Sequence, residues 1–135
     1  MEKVVLAQLH AARGAEREQS LFYRALATAA EAVEDALLSE RLNGLHADEQ
    51  HHLSRLTARL LELGEELEAL PPPSLPEVGL EAWEPLARER EQVEAERYDA
   101  LLTHELDAHT RRMLSEFLAA ERQHAQLLGG KFMGA

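Results

Sequence analysis

The sequence predicts an all-α fold, a four-helix antiparallel bundle, and three observations carry that expectation. Apolar residues recur at three- and four-residue steps along most of the 135-residue chain. A Pro-rich stretch falls near its middle and divides two helical halves. The pattern Glu-x-x-His occurs in each half, as Glu49/His52 and as Glu121/His124.

Taken in order, the first helix runs from about Lys3 to Glu34 on a stripe of Val5, Leu9, Ala12, Tyr23, Leu26 and Ala30. Asp35 is placed to cap a second helix that continues to about Ala69, its Glu run at 62–68 forming an exposed face. Residues 70–84, LPPPSLPEVGLEAWE, cannot continue a helix, and Trp83 is expected to pin this connector to the bundle. Pro85 suits the first turn of a third helix reaching about Leu106. Asp107 can cap a fourth, which stops at Gly129–Gly130 and leaves 129–135 as a tail.

The two halves repeat. Asp35 precedes Glu49 by 14 residues and Asp107 precedes Glu121 by the same 14, while Leu42 and Leu45 map onto Leu114 and Phe117 at a constant offset of 72. This describes two helical hairpins in one domain. A simple up-down bundle needs only about 2–8 residues between helices. A Pro-rich connector of about 14 residues, extended at ~3.1 Å per residue, reaches roughly 45 Å, the length of a 30-residue helix. It can therefore cross the bundle and let the second and fourth helices face their motifs to each other.

Composition narrows the chemistry. Cysteine is absent, which removes disulfides, thiolate catalysis and every thiolate metal site. The net charge of −11 argues against nucleic acid and anionic membranes as partners. No apolar run approaches a membrane span, and the start, MEKVVLAQLHAARGAERE, carries charge too early for a signal peptide, so the expected location is the cytoplasm.

Each Glu-x-x-His pair shares one helix face with apolar neighbours: Leu38, Leu42, Leu45 and Leu56 around the first, and Leu114, Phe117 and Leu128 around the second. A carboxylate and an imidazole aimed at a core call for pairing or a metal. On the first helix Glu16 lies on the apolar stripe, whereas Glu18 points away from it toward solvent. On the third helix Glu91 and Glu94 both lie beside Ala87, Tyr98 and Leu101. Glu94 is nearer the centre of the arc, but Glu91 stands seven residues before Tyr98 as Glu16 does before Tyr23. Four carboxylates and two neutral imidazoles balance two divalent cations, and oxygen with nitrogen ligands suits iron or manganese, with zinc as a substitute.

At these residues the chain resembles the ferritin-like superfamily, and most closely the diiron domain of the rubrerythrin family, from about Val5 to Leu128. The motifs carrying the resemblance read EQHH at 49–52 and ERQH at 121–124, with Glu16 and Tyr23 upstream. The resemblance implies two iron ions bridged by Glu49 and Glu121, with His52 and His124 as terminal imidazoles. Glu16 and Glu91 or Glu94 become terminal carboxylates, the second helix-three glutamate a redox-switched ligand. Tyr23 and Tyr98 become hydrogen-bond donors to carboxylates. It also implies a ferroxidase- or peroxidase-like reaction with O2 or hydrogen peroxide, in oxidative-stress defence or iron handling. Members that reduce peroxide commonly carry a cysteine-ligated rubredoxin module; without cysteine, electrons here must come from an external donor protein. Asp48, four residues before His52, is placed to orient that imidazole, and Ala120 stands at the equivalent place before His124. Self-association is expected, a homodimer first. Two other functions fit the same residues: a diiron or dimanganese oxygenase acting on an organic substrate, and a metal-free helical scaffold.

Overall fold

Caps decide where the helices begin and end. A computed structural model describes residues 1–129 and shows four helices with no strand among them: α1 (Lys3–Ala32), α2 (Ala36–Glu62), α3 (Trp83–Leu101) and α4 (Ala108–Leu127). None of the four is long and apolar enough to cross a membrane. At the end of α1 the Glu34 N–H donates to Glu31 O and the Asp35 N–H to Ala30 O, folding the chain back on the last turn. Asp35 then serves the next helix, its carboxylate accepting the Leu38 N–H at 3.1 Å. The reversal puts Glu34 at φ 60°, a conformation that favours glycine. Glu34→Gly is therefore expected to raise stability by about 0.5–1 kcal/mol, seen as a melting temperature a few degrees higher.

α2 stops at Glu62, seven residues before the expected Ala69, and the cause is Gly64. Gly64 takes φ 81°, its N–H donates to Leu61 O, and the Glu65 N–H donates to Leu60 O. Glutamates 65, 66 and 68 therefore belong to the connector, not to a helical face. The connector spans residues 63–82 and climbs beside α1. His10 meets Glu65 at 2.9 Å, while Arg13 and Arg17 donate to the carbonyls of Glu68 and Pro71. His10 thus tethers the connector to α1. Over these contacts α1 advances ~10 Å at ~1.5 Å per residue. The connector uses six residues for that distance, so it is wound rather than fully extended. It ends on Trp83, fully buried as expected.

α3 begins with Pro85 in its first turn and ends at Leu101, five residues short of Leu106. Side chains hold the turn that follows: Thr103 Oγ1 donates to Ala100 O, and Arg111 donates to Leu102 O and His104 O. Asp107 caps α4 twice, accepting from the Thr110 N–H and the Thr110 hydroxyl, both at 2.8 Å. It also receives Arg59 from the end of α2 at 2.9 Å. The cap bond from the Thr110 N–H holds the Asp107 carboxyl at about 2, helped by Thr110 Oγ1 and Arg59. Asp107→Ala is expected to lower stability by about 1 kcal/mol, read as a lower urea midpoint. Of the expected tail, residues 130–135 lie outside the described residues.

The four helices form a bundle whose apolar interior is in two parts. One contains Val5, Leu9, Leu56, Leu60, Leu101, Met113, Leu114 and Phe117. The other contains Phe22, Leu26, Ala30, Leu42, Leu45, Trp83, Ala87 and Leu128. α1, α2 and α3 contribute to both parts, α4 reaches the second only through Leu128 at its C-cap, and the buried residues between the two parts are charged or polar apart from Ala125. That polar layer is buried midway along the bundle.

Candidate metal centre

The layer is made by one turn from each helix. Glu16 comes from α1, Glu49 and His52 from α2, Glu91 from α3, and Glu121 and His124 from α4; all six side chains are buried. Their ligand atoms form two groups, each within 4.8 Å: Glu16, Glu49, His52 and Glu121 in one, and Glu49, Glu91, Glu121 and His124 in the other. Glu49 and Glu121 belong to both. The motifs interlock across the bundle: His52 Nδ1 lies 2.9 Å from Glu121 Oε1, and His124 Nδ1 lies 3.1 Å from Glu49 Oε1.

These short approaches are not hydrogen bonds. Both Nδ1 atoms, all four oxygens of Glu49 and Glu121, and the Oε2 atoms of Glu16 and Glu91 are buried with no hydrogen-bond partner. Orphaned polar atoms at such density are costly unless something else satisfies them. Two ligands about 2.1 Å from one cation stand roughly 3 Å apart at right angles, which is the spacing between imidazole and carboxylate here. The donor set therefore fits two divalent cations with oxygen and nitrogen ligands.

The outer atoms of the same groups are engaged. Tyr23 OH donates to Glu91 Oε1 and Tyr98 OH to Glu16 Oε1, each at 2.6 Å, leaving each Oε2 turned inward. Burial, then the neighbouring carboxylates, hold both phenols well above their ordinary range, so they remain donors. Gln19 adds its amide to Glu91 Oε1 at 3.3 Å and to Tyr23 OH at 3.0 Å. The sequence reading missed Gln19, although a signal existed: it stands four residues before Tyr23 as Glu94 does before Tyr98.

One expectation changes and one open choice narrows. Asp48 lies against His124, not His52: its Oδ2 is 2.9 Å from His124 Nε2. Four residues along one helix places Asp48 near its own His52 in sequence, but α2 packs face to face with α4, and the carboxylate reaches across. Glu94 is buried beside the centre, yet it belongs to neither four-residue group and its Oε1 meets Arg97 at 3.3 Å. Glu91 is the helix-three carboxylate brought to the other ligands. Glu18 is half-exposed and pairs with Arg90 at 3.5 Å, outside the centre, rather than standing free in solvent.

Crowding sets the charge state of the protein alone. Burial first, then Glu16 and Glu91, push Glu49 well above the carboxylate range. Burial first, then the crowding of Glu91 and Glu16 against it, does the same to Glu121. Burial would also raise Glu91, but its close approach to Glu121 and to the His124 imidazole, with the Tyr23 hydroxyl, outweighs it and brings it to about 2. Burial lifts Glu94 to about 7 against the pull of Arg97. For His124 burial works downward, and Glu91 and Asp48 overcome it, so the imidazole is raised.

A groove of about 280 Å³ between α1 and α3 reaches this layer, lined by Ala15, Glu18, Leu86, Val93, and the buried Gln19 and Glu94. No family model matches this chain, and no curated protein matches it.

Proposed function

We propose that this protein is a non-haem dinuclear metal protein, most simply a diiron protein, that reacts with O2 or hydrogen peroxide as a ferroxidase- or peroxidase-like oxidoreductase. The observation that carries the reading is the pair of four-residue groups sharing Glu49 and Glu121. Glu16 and His52 would complete one cation position and Glu91 and His124 the other, with Glu49 and Glu121 bridging. Glu94 stays in reserve beside Arg97. Pairs such as His10/Glu65, Ser20/His46, Gln8/Arg97 and Arg59/Thr110 support an antiparallel, ferritin-like packing of two hairpins.

Two Fe(II) ions held by these residues would supply the two electrons that, with two protons from solvent, reduce hydrogen peroxide to two waters. The chain supplies position and charge. Tyr23 and Tyr98 fix the outer oxygen of each terminal carboxylate, Asp48 holds the proton of His124 on Nε2 so that Nδ1 is bare, and the two apolar parts of the core exclude water above and below. The four carboxylates neutralise two divalent cations, so the low-dielectric layer holds no excess charge.

Cytoplasmic oxidative-stress defence or iron handling, electrons from a separate protein, and a homodimer complete the proposal. Two measurements test it together. Elemental analysis of protein purified with iron should find about two metal atoms per chain, and the loaded protein should consume peroxide faster with a reductant than without. No metal, with melting unchanged by a chelator, would instead favour a metal-free scaffold.

A further inference from the structure

We propose that the two cation positions are inequivalent, with Asp48 making the Glu91/His124 position the tighter one, so that it fills first. The inference rests on the dinuclear reading above and goes beyond it. Its ground is a pseudo-twofold relation that the ligands obey and their surroundings break. Glu49 and His52 map onto Glu121 and His124 at an offset of 72, and Glu16 and Tyr23 map onto Glu91 and Tyr98 at an offset of 75. The ligand types are therefore identical at the two positions, as are the tyrosines that hold the terminal carboxylates.

The first break lies at the histidines. Asp48 Oδ2 stands 2.9 Å from His124 Nε2, fixing the ring and its tautomer and making Nδ1 a stronger donor. Its counterpart at the same offset is Ala120, which has no polar side chain to offer His52. Among the described residues no hydrogen bond reaches His52 Nε2, and the ring rests on Phe117 with centroids 4.2 Å apart. The second break lies at the terminal carboxylates. Glu91 Oε1 receives the Gln19 amide as well as Tyr23, whereas the counterpart of Gln19 is Glu94, which cannot support Glu16 in that way. Glu94 belongs to neither group; its Oε1 meets Arg97, while its Oε2 is buried without a hydrogen-bond partner. Both breaks favour the same position, since its imidazole and its carboxylate are the better fixed.

The size of the effect follows from exposure. Partners that orient a ligating histidine are worth about 10–100-fold in metal affinity. Asp48 is a positioning residue whose side chain is 60% exposed, so the lower end, about tenfold, is expected. Titration of the metal-free full-length protein with Co(II), followed by visible absorption, should show two steps. Glu91→Ala should remove the tighter step and Glu16→Ala the weaker. Asp48→Ala should weaken the tighter step about tenfold, and Asp48→Asn, which keeps an acceptor, should restore part of it. Ala120→Asp should strengthen the weaker step. Metal-free melting of the Asp48 and Ala120 variants, both changed near the surface, reports their folding. Two ions bound with one indistinguishable affinity, or a tighter step unmoved by Asp48→Ala, would overturn this inference while leaving the dinuclear reading intact. No Co(II) binding at all would overturn both.

Discussion

Glu121→Ala is expected to abolish binding of both metal ions, although it removes one side chain. The expectation follows from sharing: Glu121 belongs to both four-residue groups, so its loss takes a ligand from each position. Glu16→Ala should cost only one ion, and Glu18→Ala, whose partner is Arg90 outside the centre, should cost none. Stability provides the readout. A ligand bound only by the native state adds ~4 kcal/mol at a thousandfold excess over its Kd, on the order of 15 °C in melting temperature for a domain of this size. That gap between loaded and chelated protein should be present in the native chain and in Glu18→Ala and vanish in Glu121→Ala. Comparing each variant with its own chelated form cancels the cavity that alanine leaves in the core. Equal gaps in Glu18→Ala and Glu121→Ala would refute the assignment of faces.

Without metal, the protein is expected to lose stability as pH rises from about 5 to 8, opposite to ordinary acid denaturation. Glu49 and Glu121 are raised well above the carboxylate range by burial and neighbouring glutamates, Glu94 is raised to about 7 by burial, and His124 is raised as well. A group whose folded value is raised contributes stability fully below its unfolded value and loses it as pH climbs through the folded one. For the glutamates that loss begins near the unfolded ~4.3, and for His124 near ~6.5. Each proton that the folded state holds and the unfolded state has released costs roughly 1.4 kcal/mol per pH unit. Glu91 and Asp107 are lowered to about 2, and their opposite contribution is complete by pH 5, so it does not mask the fall. Metal should flatten the profile, because the cations replace the protons. Urea midpoints between pH 5 and 8, with and without metal, check this; a chelated protein most stable at pH 8 would contradict it.

Much of this was readable from the residues, because the strongest signals were local. Asp35 and Asp107 cap helices as their positions suggest, and the apolar stripes locate the buried side chains of all four helices. The ligand candidates were visible because a glutamate and a histidine on an apolar face are expensive to bury. Helix ends were less visible where backbone geometry competes with propensity. The glutamate run after Glu62 looks helical, but Gly64 turns the chain first. After α3 the chain turns at residues 102–104, where Arg111 from the next helix donates to the carbonyls of Leu102 and His104.

What the residues hid was chiefly what crosses between helices. Asp48 was assigned to the histidine on its own helix because spacing reports neighbours within one element; its true partner, His124, is 76 residues away. The choice between Glu91 and Glu94 was open for the same reason. They lie one turn apart, and only the positions of Glu49, Glu121 and His124 bring Glu91 to the other ligands.

Anomalous diffraction from crystals of the full chain loaded with iron would test the shared-carboxylate centre most directly. The account predicts two peaks per chain about 3.5–4 Å apart, one beside Glu16 and His52 and the other beside Glu91 and His124, with Glu49 and Glu121 between them. A single peak, peaks confined to the surface, or no peak at all would contradict it.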